Sequence, residues 1–141
     1  MSKLQHTVFS LFYGLLLYSI PSVWASDRIS YLNYVNNSIF IIQEYLDGSL
    51  IILFFNEPIW LIINIALSYL GNPNYAIGVL IFINSFFVSY ILLRKGGIPF
   101  KWVLLTLLFP PIFTMQFSHI RQAVALTIFM AGYFSKNKYS A

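Results

Sequence analysis

Long apolar stretches alternate with short polar segments along most of the chain, and this alternation determines the predicted elements. Residues 7–24, 75–93, 102–117 and 120–135 are apolar for about the length at which a helix crosses a bilayer. Short segments with glycine, proline or charged residues separate them. The pattern therefore predicts an all-α, polytopic membrane protein with about four transmembrane helices, forming a single domain over residues 1–141.

The segment between the first two stretches, residues 26–73, is predicted to lie outside the membrane. It holds every acidic residue of the chain, namely Asp27, Glu44, Asp47 and Glu57. Apolar residues recur in its first part at spacings of three and four, which indicates an amphipathic helix lying in the membrane interface. Residues 58–70 are apolar but short, and the turn sequence Gly-Asn-Pro-Asn closes them. We therefore expect horizontal helices on the outer face.

Two points of this topology stay open in the sequence. Residues 58–70 either cross the membrane or lie along its outer surface. A crossing would place Arg94 and Lys95 outside, against the usual cytoplasmic excess of cations, so we prefer the surface position. The first helix is either a retained span or a cleaved secretory signal, and its weakly basic start favours retention.

The composition agrees with lipid as the main solvent of the chain. Of the 141 residues, 59% are hydrophobic and only 9% are charged, which is too little charge to cover a soluble domain of this size. The cations lie singly or in pairs and form no basic stripe, which argues against a nucleic-acid partner. There is no cysteine, and the two histidines lack ligand spacing, so we expect no metal site and no cofactor.

The start of the acidic segment carries the first candidate site. Asp27, Tyr31 and Tyr34 lie at positions i, i+4 and i+7 and would share one face of a helix. Helix capping by the aspartate and interfacial anchoring by the tyrosines would explain the same spacing. Glu57 followed by Pro58 also has two interpretations, either an ordinary helix start or an acid in an apolar setting that needs a partner.

Arg121 is the strongest single candidate for a functional residue, because it lies between two apolar stretches together with His119 and Gln122. An arginine at such a place is either a helix-end residue that reaches the interface or a ligand for anionic groups. Its planar fork suits phosphate better than a lysine would. Arg28, the only cation of the acidic segment, is a further candidate for substrate binding.

The order of three motifs resembles the EpsG family of Wzy-like membrane polymerases, which join the repeat units of exopolysaccharides and O-antigens. The motifs are SDRISYLNYV, NEPIWLIINIALSYLG and SHIRQAVALTIFMAG, and the resemblance covers residues 7–135. Members of the family are usually much longer, so the chain is expected to correspond to the N-terminal part of such a protein. The layout of a first helix, an external acid and horizontal helices also resembles C-type glycosyltransferases.

This resemblance implies a function and roles for the candidate residues. A member would transfer sugar from a polyprenyl-diphosphate-linked oligosaccharide to another lipid-linked unit, at the outer face of the bacterial cytoplasmic membrane. The implied catalytic residues are Asp27, Glu57 and Arg121, and the implied substrate-binding residues are Tyr31, Tyr34 and Gln122. Arg28 and His119, which lie next to these positions in the sequence, are further candidates for substrate binding. Membrane lipids and other polysaccharide-assembly membrane proteins are further expected partners, and no metal or cofactor is implied.

Two other functions stay open as alternatives. A non-catalytic membrane subunit, or a remnant of such a polymerase, would use the same polar residues for anchoring. A transporter or flippase component would need polar residues at mid-membrane depth. The sequence offers only Asn64, Asn84, Ser85 and Ser89 for that purpose.

Overall fold

The computed structural model describes residues 2–21, 24–48, 58–95 and 98–136. Within this part of the chain all regular secondary structure is helical, so the all-α prediction is confirmed. The helices are α1 (Lys3–Tyr18), α2 (Ser26–Gly48), α3 (Pro58–Ser68), α4 (Pro73–Lys95), α5 (Phe100–Leu108), α6 (Pro110–Phe117) and α7 (Ile120–Lys136).

Helix α4 is the centre of the fold and contacts each of the other six helices. Among the described residues it is the one helix that is by itself long and apolar enough to cross a membrane, over Pro73–Arg94. The pair α5 and α6 passes the same test only if the two helices, bent by 65°, count as one broken span. The multi-pass topology therefore stays a prediction.

Helix α1 packs along α4 and makes the most extensive contact in the fold. Two glycines allow the close approach. A Cβ added at Gly14 would lie 3.0 Å from the ring of Phe82, and one at Gly78 would lie 2.6 Å from the ring of Tyr18. Because the end of α1 meets the start of α4, the two helices run antiparallel.

Helix α1 differs from the predicted stretch 7–24 at both ends. It begins at Lys3, because the hydroxyl of Ser2 accepts a hydrogen bond from the backbone N–H of Gln5 at 3.3 Å and caps the first turn. It ends at Tyr18, before Pro21, whose ring cannot continue a helix. Its 16 residues span about 24 Å, less than the hydrocarbon core of about 30 Å.

The predicted stretch 102–117 forms two helices rather than one. Phe109 has φ −60° and ψ 121°, an extended conformation that the following proline favours in the residue before it. Pro110 then takes the first position of α6, where its missing N–H costs no hydrogen bond. The break therefore lies at the Pro110-Pro111 sequence.

Helices α2 and α3 form a layer beside the start of α4. The ring of Tyr31 in α2 meets the ring of Trp60 in α3 edge to face, with centroids 5.6 Å apart. After α3 the chain turns through Gly71, whose φ of 77° favours glycine. Asn72 then caps α4, because its side-chain oxygen accepts a hydrogen bond from the backbone N–H of Asn74 at 2.9 Å.

Buried polar side chains connect the helices. The hydroxyl of Tyr13 in α1 donates to the carbonyl of Leu107 in α5 at 3.1 Å and accepts from the amide of Gln116 in α6 at 3.0 Å. The hydroxyl of Thr127 in α7 donates to the side-chain oxygen of Asn84 in α4. The four mid-membrane candidates of the sequence are all buried, namely Asn64, Asn84, Ser85 and Ser89.

Candidate functional site

A cleft of about 830 Å³ opens where the first turns of α2, α3 and α7 meet. Its polar end is formed by five side chains from α2, α7 and the residue that precedes α7, namely Asp27, Tyr31, His119, Arg121 and Gln122. All five are candidate site residues of the sequence analysis. The fold brings them to one place because α7 docks its first turn beside the first turn of α2.

The rest of the cleft is apolar. Ile59 and Ile63 of α3 lie four residues apart, and so do Val124 and Ile128 of α7, so each pair shares one helix face. This apolar wall follows α7 for about 10 Å beyond Arg121. The cleft thus has a polar head and an apolar wall, which is the shape of a site for an amphiphilic ligand.

Arg121 lies over the ring of Tyr31 at the polar end of the cleft. Its Cζ atom is 5.9 Å from the centroid of the Tyr31 ring, within cation–π range. The same ring packs edge-on against Trp60 of α3, so one aromatic pair connects all three walls of the cleft. The Arg121 side chain is exposed at this point and accessible to a ligand.

Asp27 and His119 approach each other across the cleft. Oδ2 of Asp27 lies 3.4 Å from Nε2 of His119, and both side chains are about half exposed. The backbone carbonyl of His119 accepts a hydrogen bond from the N–H of Ala123 at 3.1 Å, so His119 stands at the capping position of α7. The cleft therefore holds a carboxylate and an imidazole that can exchange a proton with a bound hydroxyl.

Electrostatics at the polar end favour an anion despite the aspartate. The first turns of α2, α3 and α7 all reach the cleft, and each helix has the positive end of its dipole there. Arg121 adds a full positive charge. Among the described residues that line the cleft, Asp27 is the one acidic side chain.

The structure does not bring Arg28 into the cleft. Its side chain is 4% exposed, and Nη1 donates to the carbonyl of Ile20 at 2.8 Å. Burial lowers the pKa of the Arg28 guanidinium from its usual value. Arg28 thus connects the segment after α1 to the start of α2, and this contact explains its burial without a role in ligand binding.

Two further candidates also lie elsewhere. Tyr34 is partly buried against the hydrophobic core and does not line the cleft. Helix geometry explains this, since three residues rotate it by about 60° from Tyr31. Glu57 lies outside the described residues, although Pro58, which follows it, lines the cleft.

Trp60 and the apolar wall are parts of the site that the sequence did not predict. Trp60 stands in the second motif, directly after the Pro-Ile pair, and a bulky amphipathic ring beside a candidate acid was the available signal. Nothing in the sequence could indicate that Ile128 and Phe129 face α3 rather than another helix, because that depends on how α7 docks.

Within the described ranges, no group of three or more histidine, cysteine, aspartate or glutamate side chains could hold a metal ion. Comparisons with protein-family models, with curated proteins and with solved structures find no match to this chain.

Proposed function

We propose that this chain belongs to a multi-pass protein of the bacterial cytoplasmic membrane that polymerises lipid-linked oligosaccharide repeat units for exopolysaccharide, capsule or O-antigen. The cleft binds a polyprenyl-diphosphate-linked oligosaccharide, with the diphosphate at Arg121. One observation carries the proposal: a guanidinium placed over an aromatic face stands at the polar end of a cleft with an apolar wall. The resemblance of the three motifs to the EpsG family points the same way.

The distribution of charge supports an outward-facing cleft. Arg94 lies about 31 Å along α4 from Pro73, close to the roughly 30 Å of a hydrocarbon core. Because α1 runs antiparallel to α4, Lys3 lies at the same end as Arg94, and Lys101 starts the helix that follows. Cations mark the cytoplasmic side of most membrane proteins. The start of α4 then faces outward. The α2–α3 layer meets α4 there, at Pro73, and two walls of the cleft belong to this layer.

The polar end suits a diphosphate in both charge and geometry. A guanidinium can bind two phosphate oxygens at once through its planar fork. Gln122 offers amide donors beside it, and the first turn of α7 adds backbone N–H groups at the positive end of a helix. The contact with Tyr31 restricts the Arg121 side chain, so less conformational freedom is lost when the ligand binds.

In the proposed reaction, the hydroxyl oxygen of the acceptor sugar bonds to the anomeric carbon of the donor. The bond between that carbon and the diphosphate oxygen breaks, and the electron pair leaves with the diphosphate. Arg121 stabilises the negative charge that develops there. The hydroxyl proton passes to the carboxylate of Asp27, which His119 positions at 3.4 Å. Glu57 is the second candidate base from the sequence.

The apolar wall suits the first isoprene units of the lipid. Ile63, Ile128 and Phe129 line it, and Ile128 and Phe129 are largely exposed. Burying such side chains against an isoprenoid chain is favourable by about 25 cal/mol per Å² of apolar surface. Membrane lipids, and other membrane proteins of polysaccharide assembly, are the further partners that this function implies.

Binding of farnesyl diphosphate to the purified chain tests the proposal. Arg121→Lys keeps the charge but loses the fork, and Arg121→Gln loses both. A hydrogen bond to a charged group is worth about 1.5–3 kcal/mol. We therefore expect Arg121→Gln to raise the Kd roughly tenfold to a hundredfold, and Arg121→Lys to have nearly the same effect.

Arg94→Gln is the matched control, because it makes the same chemical change at the other end of α4, where Arg94 is exposed and contacts Tyr90. It should bind like the unchanged chain. Farnesol, which lacks the diphosphate, should compete weakly and equally in all variants. If Arg121→Gln and Arg94→Gln bind farnesyl diphosphate equally well, Arg121 does not hold the diphosphate and the proposal is wrong.

A further inference from the structure

A second, smaller pocket of about 280 Å³ lies between α2 and the turn that joins α3 to α4. Val35 and Leu67 form part of its apolar floor, while Asn36, Ser68 and Tyr69 bring polar or aromatic groups to it. The two cavities have no described lining residue in common. The second pocket therefore needs an explanation of its own.

The described residues that line the pocket are uncharged and combine apolar side chains with amide, hydroxyl and aromatic groups. Asn36 is exposed and offers both donors and an acceptor, and the Ser68 hydroxyl donates to the carbonyl of Ile65 at 2.7 Å, which leaves its oxygen able to accept. The ring of Tyr69 is 80% exposed, an unusually open position for a large aromatic side chain.

We propose that this pocket binds an uncharged sugar ring. Amide and hydroxyl groups can pair with the hydroxyls of a sugar, whose hydrogen bonds run in both directions. An open aromatic face can cover the apolar C–H face of the ring. Drug-sized ligands occupy pockets of about 300–1,000 Å³, so the smaller pocket has room for a single ring rather than a chain.

The position of the pocket connects it to the first cleft. Tyr31 lines the cleft and Val35 lines the pocket, and the two lie one turn apart on α2, about 6 Å along its axis. On α3, Trp60 belongs to the cleft and Leu67 to the pocket, about 10 Å apart. A saccharide of a few rings covers this separation.

The inference rests on the proposed function, because a diphosphate-linked oligosaccharide at Arg121 must place its sugars beside the cleft or meet an acceptor there. The shared chemistry is a neutral sugar ring, supplied either by the donor or by the acceptor. The layer formed by α2 and α3 would then be a sugar-binding surface, with the reacting end at the cleft and a more distant ring in the pocket.

Saturation-transfer NMR on the solubilised chain tests the inference. The probe is a mixture of the neutral methyl glycosides of glucose, galactose, rhamnose and N-acetylglucosamine, in a detergent without a sugar headgroup. We expect transfer to at least one glycoside, reduced at least severalfold by Tyr69→Ala and by Asn36→Ala. Both side chains are exposed, so neither change disturbs the core.

Tyr133→Ala is the matched control, since Tyr133 is a 56% exposed tyrosine in the last turns of α7, outside the pocket. It should leave the saturation transfer unchanged. Equal transfer with the unchanged chain and with Tyr69→Ala, or no transfer to any glycoside, would overturn the inference.

Farnesyl diphosphate binding, measured on the same variants, separates this inference from the proposed function. If no glycoside shows saturation transfer but the binding of farnesyl diphosphate still depends on Arg121, the pocket does not bind a sugar ring and the proposed function stands. If Tyr69→Ala weakens binding of a lipid-linked trisaccharide but not of farnesyl diphosphate, the donor supplies the ring. If Tyr69→Ala weakens binding of the free glycosides but not of the lipid-linked trisaccharide, the acceptor supplies the ring.

Discussion

Replacing Tyr13 by phenylalanine tests whether a buried hydrogen-bonded contact holds α1 against α5 and α6. Tyr13 is 4% exposed, and its hydroxyl donates to the carbonyl of Leu107 and accepts from the amide of Gln116. Phenylalanine keeps the ring and its packing and removes both hydrogen bonds. The Gln116 amide then retains its longer bond to the carbonyl of Ile112, at 3.3 Å.

The magnitude follows from the number of bonds and from the burial of the groups left behind. A hydrogen bond between helices in a membrane is worth about 0.6 kcal/mol on average and up to about 1.7 kcal/mol. A buried polar group that loses its partner costs about 1–3 kcal/mol. With Gln116 fully buried, we expect Tyr13→Phe to lower the free energy of unfolding by about 1–3 kcal/mol.

Reversible unfolding by dodecyl sulfate in mixed micelles, followed by circular dichroism, measures this change. Ser10→Ala is the matched control, because Ser10 is fully buried in the same helix and its hydroxyl has no hydrogen-bond partner among the described residues. Removing that hydroxyl should be neutral or stabilising. The reasoning is refuted if Tyr13→Phe is as stable as the unchanged chain, or if Ser10→Ala is the more destabilising change.

Two further predictions concern packing and topology. Gly14→Ala should lower the free energy of unfolding by about 1–3 kcal/mol, because the new Cβ would lie 3.1 Å from the carbonyl oxygen of Phe82. Gly132→Ala is the control, since no atom lies within 4 Å of its added Cβ. It should be neutral or stabilising in the same unfolding assay. In the cysteine-free chain, Ser118→Cys should react with an impermeant maleimide in intact cells, and Ile98→Cys should react only after permeabilisation. Equal stability of the two glycine variants, or the reverse labelling pattern, would contradict these expectations.

Local sequence signals predict the turns and breaks of this fold well. Gly71 supplies the positive φ, Asn72 caps the next helix, and Pro73 occupies its first turn, so three consecutive residues define one boundary. Phe109 is extended because Pro110 follows it. Each of these effects acts between neighbours in the chain, and for that reason the sequence alone contains it.

The roles of the two arginines near helix starts could not be separated in this way. Arg28 is buried because the end of α1 brings the carbonyl of Ile20 to it, and Arg121 is exposed over Tyr31 because α7 docks beside α2. Both outcomes depend on contacts between segments that are distant in sequence. The contact between Asp27 and His119 has the same origin.

Tyr31 and Tyr34 show how a correct periodicity can still misplace a residue. Both lie close to the helix face of Asp27, but the rotation of about 60° between them directs one to the cleft and the other to the core. The spacing i, i+4, i+7 defines a face and does not say where the edge of a cleft falls on it.

The surface-polysaccharide length profile of cells that lack this chain tests the central claim most directly. The cells re-express the intact chain, Arg121→Ala, or Arg94→Ala as a matched control. The proposed function predicts long polymer with the intact chain and with Arg94→Ala, and single repeat units with Arg121→Ala. If the intact chain and Arg121→Ala give the same profile, Arg121 does not carry the chemistry and the polymerase assignment is contradicted.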